Sequence, residues 1–328
     1  MARERCQFDE VVAQLRQVDD LVSRNENSTD VLRDIVEGHN FTYLDLYDCR
    51  YGRMLVLSQD DVIGRSLRLY GEWAQHELSI LQSYVTPGAT VVDVGANVGT
   101  HTLALSRWAK SGRVIAIEAQ PVVSSILRIN CRQNNCANVQ VINAICANAL
   151  GVFDFRFDYT QERNYGAVSF ARRRTDTWRK SFRWFQWRRA SNGVQVPITT
   201  LNELCRDEMV AVIKMDIEGM ELDALRGADE LLTRCHPVLY FEQSTTTRLV
   251  ETYDYLTAIE YRMFWLETHP FNRNNFRCLT ENIWWRTETG IIALPKWAQI
   301  PNELVEVRRT DPSAPHRLDA RAGISLAA

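Results

Sequence analysis

Short apolar runs set the rhythm of the chain from residue 90 onward: TVVDVG (90–95), RVIAIEAQP (113–121), NVQVINAIC (138–146), MVAVIKMDIEG (209–219) and PVLYFEQ (237–243). Each has the length of a strand and lacks the alternation of a strand with one wet face. Between them, apolar positions spaced by three and four predict helices at about 99–110, 121–134 and 220–234. Strands alternating with helices predict a doubly wound α/β fold around a mostly parallel sheet. Such a sheet takes its ligand beyond the C-terminal ends of its strands, where strand order reverses.

The flanks read differently. Phe8, Val11, Val12, Leu15, Val18, Leu21 and Val22 predict a helix within 5–37. Residues 41–70 read as short strands and turns around Gly52 and Gly64, and 70–85 as a helix that Pro87-Gly88 ends. Residues 151–198 interrupt the rhythm with a β-ribbon, GVFDFRFDY, and a run dense in arginine and tryptophan at 171–190, before the pattern resumes at VPITTLNEL. A helix after 243 and late strands in YRMFWLE and WWRTETGIIALP follow. The expected division is an N-terminal helical/β extension at 1–85, the sheet domain at 86–295 and a peripheral tail at 296–328.

Composition narrows the classes. A net charge of −3 argues against binding nucleic acid by bulk electrostatics. No run reaches the roughly 18 to 20 apolar residues of a membrane helix, and MARERCQFDE offers no apolar stretch for a signal peptide. A cytoplasmic location is therefore expected. The eight cysteines form no CxxC pair, and Cys131, Cys146, Cys205 and Cys235 lie in or beside apolar runs, as buried free thiols do.

VVDVGANVGT (91–100) carries the first candidate site. Gly95 would let the backbone approach a ligand, and Gly99 would start a helix tightly, with its amides free for an anionic group. Asp93 suits an ammonium, and Glu118, ending the second strand, suits both hydroxyls of a ribose. An acid for an amino-acid end and an acid for a ribose point to S-adenosylmethionine. The rival is NAD, whose GxGxxG fingerprint needs a glycine where Ala96-Asn97 stand. A bare strand-turn-helix would leave two acids at core strand ends without partners. Asn143 and Ala144, on the third strand, lie where adenine would be held; Asn143 as a turn-side hydrogen-bonder is equally compatible.

Lys214, Asp216 and Glu218 end the fourth strand in KMDIEG. Strand alternation would point them one way, toward the methyl group. In-line transfer to a hydroxyl needs an aligned acceptor and a base, and Asp216 and Glu218 are the candidates. A structural Lys–carboxylate pair is the other reading, and a divalent metal on the two acids is compatible with their chemistry but not indicated.

The stretches VVDVGANVGTHTLALSRWAKSGRVIAIEAQP, VPITTLNEL, VIKMDIEGMELDALRGADELL and PVLYFE together resemble the FkbM family of methyltransferases. The likeness runs over roughly 50–295, from GRSLRLYGEWAQHEL to YRMFWLETHPFNRNNF. It implies a class I methyltransferase fold, a seven-stranded sheet with an antiparallel last pair, with S-adenosylmethionine as donor and hydroxyls of sugars or polyketide-type products as acceptors. By motif, the family's donor positions fall on Asp93, Gly95, Asn97, Gly99 and Glu118. Its KxDxEGxE signature falls on Lys214, Asp216, Glu218, Gly219 and Glu221. The 171–190 stretch lies outside the pattern, and Thr268-His269-Pro270-Phe271 has one proline where the family has two.

Further candidates for the acceptor side are Asn164, Tyr165 and Ser169, in an Asn-aromatic-Gly stretch that is equally compatible with a plain turn, Glu242 at the end of PVLYFE, and His269, a base without a visible partner acid or else a structural loop histidine. Tyr70, Glu72, Trp73 and Glu77 are read as a lid over the donor or as a packing helix. The expected function is methylation of a hydroxyl on a small molecule or glycan. The alternative is a silent binding module of the same fold that holds a partner through 171–190. No (D/N)PPY follows the fourth strand, so nucleic acid is not the expected acceptor. Oligomeric state stays open.

Overall fold

The computed structural model describes residues 43–155, 194–242, 248–299 and 304–311, with single positions 13, 14, 17 and 164. The helix expected within 5–37, the 171–190 stretch, Tyr165 and Ser169 fall outside those residues or almost wholly so.

The central sheet has eight strands: β3 (Thr90–Val94), β4 (Arg113–Ile117), β5 (Val139–Ile142), β9 (Val210–Met215), β10 (Val238–Glu242), β11 (Tyr261–Thr268), β12 (Glu288–Pro295) and β13 (Val305–Glu306), in the order β13-β11-β12-β10-β9-β3-β4-β5. Strands β5, β4, β3, β9 and β10 run parallel, as their continuous apolar sequences require. Strand β12 runs antiparallel between β10 and β11, which is the antiparallel last pair that the resemblance implies. The chain starts in the middle at β3, winds outward to β5, then returns to β9 on the other side of β3. The reversal lies between β3 and β9, and the candidate site sits there.

Helices α3 (Thr100–Ala109) and α4 (Pro121–Gln133) match their expected spans. Four other readings need correction. First, NVQVINAIC is two strands, β5 and β6 (Ile145–Cys146), because Asn143 turns away to hydrogen-bond the carbonyls of Glu118 and Ala119. Strand β6 joins β7 (Gly151–Phe155) and β8 (Val194–Thr199) in a separate three-stranded sheet, so VPITT does not resume the main sheet.

Second, the helix at 220–234 is two, α6 (Glu221–Arg226) and α7 (Asp229–Cys235), after α5 (Leu201–Leu204). The break falls at Gly227, where a Cβ would stand 2.1 Å from the Ala147 carbonyl. Third, Gly64 is not in a turn but in α1 (Ile63–Tyr70), so that only α2 (Gln75–Gln82) of the reading at 70–85 is helix. Fourth, the tail is not wholly peripheral, since β13 adds an eighth strand through Trp265 and Phe264. Helix α8 (Leu249–Ala258) precedes β11 as expected. Among the described residues, no helix is long and apolar enough to cross a membrane.

An N-terminal hairpin, β1 (Leu44–Cys49) and β2 (Gly52–Leu57), packs on α4 through Leu55, Ile126 and Ile129. A polar tie crosses this apolar contact. Buried Asn130 accepts from the Leu55 amide at 2.7 Å and donates to the carbonyls of Leu55 and Val98 at 2.9 and 2.8 Å. One side chain thus joins the hairpin to the loop after β3. Asn130→Ala orphans one buried donor and two buried acceptors and is expected to cost about 3 kcal/mol. Urea unfolding of the variant measures it, and an unchanged midpoint would contradict the tie.

Candidate active site

A cavity opens at the reversal between β3 and β9. Its walls come from the ends of β3, β4, β9, β10 and β12 and from α2 and α3.

The loop after β3 is shaped by its own backbone. Gly95 has φ +76°, and a Cβ there would lie 1.9 Å from the Asp216 carbonyl. Glycine is therefore needed for the close approach of β9 as well as for the left-handed turn. The amides of Gly95 and Ala96 donate to Ile117 O, and Asn97, also left-handed at φ +50°, accepts from the Val98 amide. Gly95, Ala96 and Asn97 line the cavity. Gly99 does not: it begins α3 at φ +99° with its Cβ direction facing Leu127.

Glu118 lies on the wall and is buried. Its two carboxylate oxygens accept from the amides of Asn97 at 2.9 Å and Gln120 at 2.8 Å. Burial pushes its pKa up to about 7, against the pull of those amides. Ala144 lines the same end of the cavity, whereas Asn143 braces the turn through its side-chain amide, as its hydrogen-bonding alternative expects.

Asp93 departs most from expectation. It is wholly buried, off the wall, and opposite Lys214 in register. Thr102 donates to Asp93 Oδ2 at 2.6 Å, and Lys214 Nζ lies 3.4 Å from Oδ1. The carboxylate that was expected to hold a ligand's ammonium already holds a lysine. Lys214 also lies 3.8 Å from Asp216 and donates to the Gly95 carbonyl at 3.3 Å. Burial alone would lower its pKa, but Asp93, Asp216 and Glu77 outweigh burial and raise it.

Lys214, Asp216 and Glu218 all reach the wall, though not through strand alternation. Strand β9 ends at Met215, and a turn with Glu218 at φ +52° places the two acids. Glu221 holds that turn by accepting from the amides of Gly219 and Ile217. Oxygens of Asp216, Glu218 and Glu242 lie within 4.8 Å of one another, close enough to share a cation. Asp216 beside it, and then burial, push the Glu242 pKa up to about 10. Glu242 therefore keeps a proton at neutral pH.

The rim is aromatic and cationic. Trp73 lies edge-to-face with Trp284 at 5.8 Å, and Arg286 sits 5.5 Å over Trp284 while pairing with Glu288 at 2.8 Å. Asn164 reaches the wall. His269 does not: it is exposed and stacks on His76 at 5.8 Å, so the structure gives it no place as a base. Tyr70 and Glu72 are braces, not a lid. Tyr70 donates to Glu281 O, and Glu72 accepts from Arg50, Asn272 and the Phe276 amide.

A family model described as the methyltransferase FkbM domain matches residues 93–268, more than half of the chain. The chain belongs to the FkbM methyltransferase-domain family. Methyltransferase 1 of Beauveria bassiana is 23% identical over 147 residues, covering 43% of this chain and 58% of that protein. Methyltransferase sdnD of Sordaria araneosa is 24% identical over 156 residues, covering 43% and 60%. The matches thus span less than two thirds of either relative. Among solved structures, the FkbM methyltransferase of Methylobacillus flagellatus is 17% identical with a TM-score of 0.42, covering 80% of this chain and 60% of that one. An O-methyltransferase of Bacillus cereus in complex with SAH is 14% identical with a TM-score of 0.38, covering 68% and 80%.

Sequence reasoning missed His101 and Tyr240 inside the matched residues, and Arg286 and Glu288 beyond them, all four on the wall. Tyr240 and Glu288 lie on the fifth strand and on the antiparallel β12, whose side chains reach the cavity only once the sheet order is known. His101 follows the loop motif by two positions. It carried a signal, since a histidine in a helix's first turn beside a ligand loop is a candidate anion binder.

Removing Lys214 leaves Asp93 buried and unpaired. Lys214→Met is expected to destabilise by about 3–5 kcal/mol. Adding Asp93→Asn should recover much of the loss, and a double-mutant cycle measured by chemical denaturation checks the coupling. Additive losses would show that the two side chains do not interact.

Proposed function

We propose that the chain is an S-adenosylmethionine-dependent O-methyltransferase whose acceptor is a hydroxyl on a sugar, glycan or natural product. The observation that carries the reading is the pairing of Glu118 with the Gly95–Asn97 loop at the sheet's reversal, in a chain of the FkbM family.

The residues present fit the donor by their chemistry. Glu118 has two lone pairs tied by backbone amides, which leaves acceptor capacity for a ribose diol. The surrounding acids Glu77 and Asp216 suit a ligand with a positive centre. When bound, the donor supplies an electrophilic methyl group on a sulfonium.

The chain's own part is to hold and deprotonate the acceptor. Asp216 projects from the turn after β9, beside Lys214 and the protonated Glu242. Lys214 and Glu242 fix its carboxylate, and Asp216 takes the proton of the acceptor hydroxyl as the oxygen attacks. Glu218 shares the wall as the second acid. Trp73 at the rim gives an apolar face on which a ring can lie. No metal is needed for this scheme, although the Asp216–Glu218–Glu242 group offers oxygen ligands.

Transfer of a labelled methyl group onto a panel of hydroxylated glycans and natural products tests the reading. Asp216→Asn is expected to lower kcat about 10²-fold or more while donor affinity is kept. Donor binding without transfer to any hydroxyl would favour the silent binding module instead.

The Glu118 shift adds a pH signature. Below about 7 the group is protonated, and above it the carboxylate accepts from both ribose hydroxyls. Affinity for 5′-methylthioadenosine is therefore expected to rise from pH 6 to pH 8. Calorimetry across that range should show the rise, and Glu118→Gln should flatten it.

A further inference from the structure

With Asp93 enclosed, the amino-acid end of the donor has no obvious carboxylate in the loop motif. The wall supplies one from elsewhere. Glu77 projects from α2 and His101 from the first turn of α3, and both line the cavity. Glu77 Oε1 lies 2.9 Å from His101 Nε2, with side chains 9% and 5% exposed. Tyr240 on β10 donates to Glu77 and fixes its orientation.

We infer that Glu77 and His101, rather than Asp93, recognise the amino-acid end of the donor, with Glu77 facing the α-ammonium and His101 the α-carboxylate. The inference rests on the proposed reading of this cavity as a donor site.

Position supports the assignment. Glu118 ends β4, whereas Glu77 is tied to β10, and β3 and β9 lie between them. Three strand spacings separate the two ends, about 14 Å. An extended nucleoside with an amino-acid arm needs one acid at each end of such a span. Of the other acids on the wall, Asp216 and Glu242 engage each other, Glu288 pairs with Arg286 and Glu218 sits on the turn after β9, whereas the partner of Glu77 is His101, the group assigned to the donor's other charge.

Charge supports it too. A zwitterion carries opposite charges a few ångströms apart, and a carboxylate–imidazole pair presents the complementary arrangement. His101 sits within the first turn of a ten-residue helix, so the amides and dipole of α3 add to its pull on an anion. Burial would raise the Glu77 pKa, but His101 and Lys214 hold it below its ordinary value, so the acid stays charged for an ammonium.

Calorimetry with two probes separates this role from general binding. S-adenosylhomocysteine carries the amino-acid arm, and 5′-methylthioadenosine lacks it. Glu77→Gln is expected to weaken S-adenosylhomocysteine by tenfold or more and to leave 5′-methylthioadenosine within about twofold. His101→Gln should show the same asymmetry, and it decides the matter if Glu77→Gln does not fold. Wild-type affinity for S-adenosylhomocysteine in the folded variants, or equal loss of both probes, would overturn the assignment. Should the wild-type chain bind neither probe, the donor reading itself fails and this inference falls with it.

Discussion

The buried bond between Lys214 and Asp93 is the constraint around which the site is arranged. It joins neighbouring strands at the sheet's reversal, where both side chains are buried. A lysine so enclosed must be matched by acids, and Asp93, Asp216 and Glu77 together match it. The Lys214 ammonium also reaches the Gly95 carbonyl, so the same contact that neutralises the core sets the height of the loop. One cation thereby joins the floor of the cavity to Asp216 on its wall.

The acids around that cation divide by their surroundings. Glu118 is held by backbone amides and burial, Glu77 by an imidazole and a phenol, and Glu242 by a neighbouring carboxyl. Each therefore presents a different charge at neutral pH, although all are carboxyl groups on one wall. One cavity thus holds carboxyl groups whose affinities for a proton differ widely.

Much of the fold was legible because β3, β4, β9 and β10 are mostly apolar without a two-residue alternation, and a parallel sheet buries such runs on both faces. The loop motif and the KMDIEG turn were legible for the same reason, as polar residues that interrupt those runs. What the sequence could not reveal was direction. Asp93 reads as a ligand-facing acid until the register shows that its partner is Lys214. Asn143 reads as an adenine contact until it is seen to tie two carbonyls. His269 precedes a proline in a suggestive loop, yet it stacks outside on His76. Conversely, Tyr240, Arg286 and Glu288 acquire a role only from the order of strands far apart in the chain.

Asn130 has a wider meaning for where this domain begins. Its side chain is shared between Leu55 in the N-terminal hairpin and Val98 in the loop that shapes the cavity. A chain trimmed to start just before the first central strand would keep the loop motif and the KMDIEG turn but lose Trp73 and Glu77 from the wall. It would also strip that asparagine of both its bonds to Leu55 and bare the apolar side of α4. The boundary drawn by sequence patterning is thus a seam in the text rather than in the folded molecule, and the hairpin belongs to the cavity it never touches.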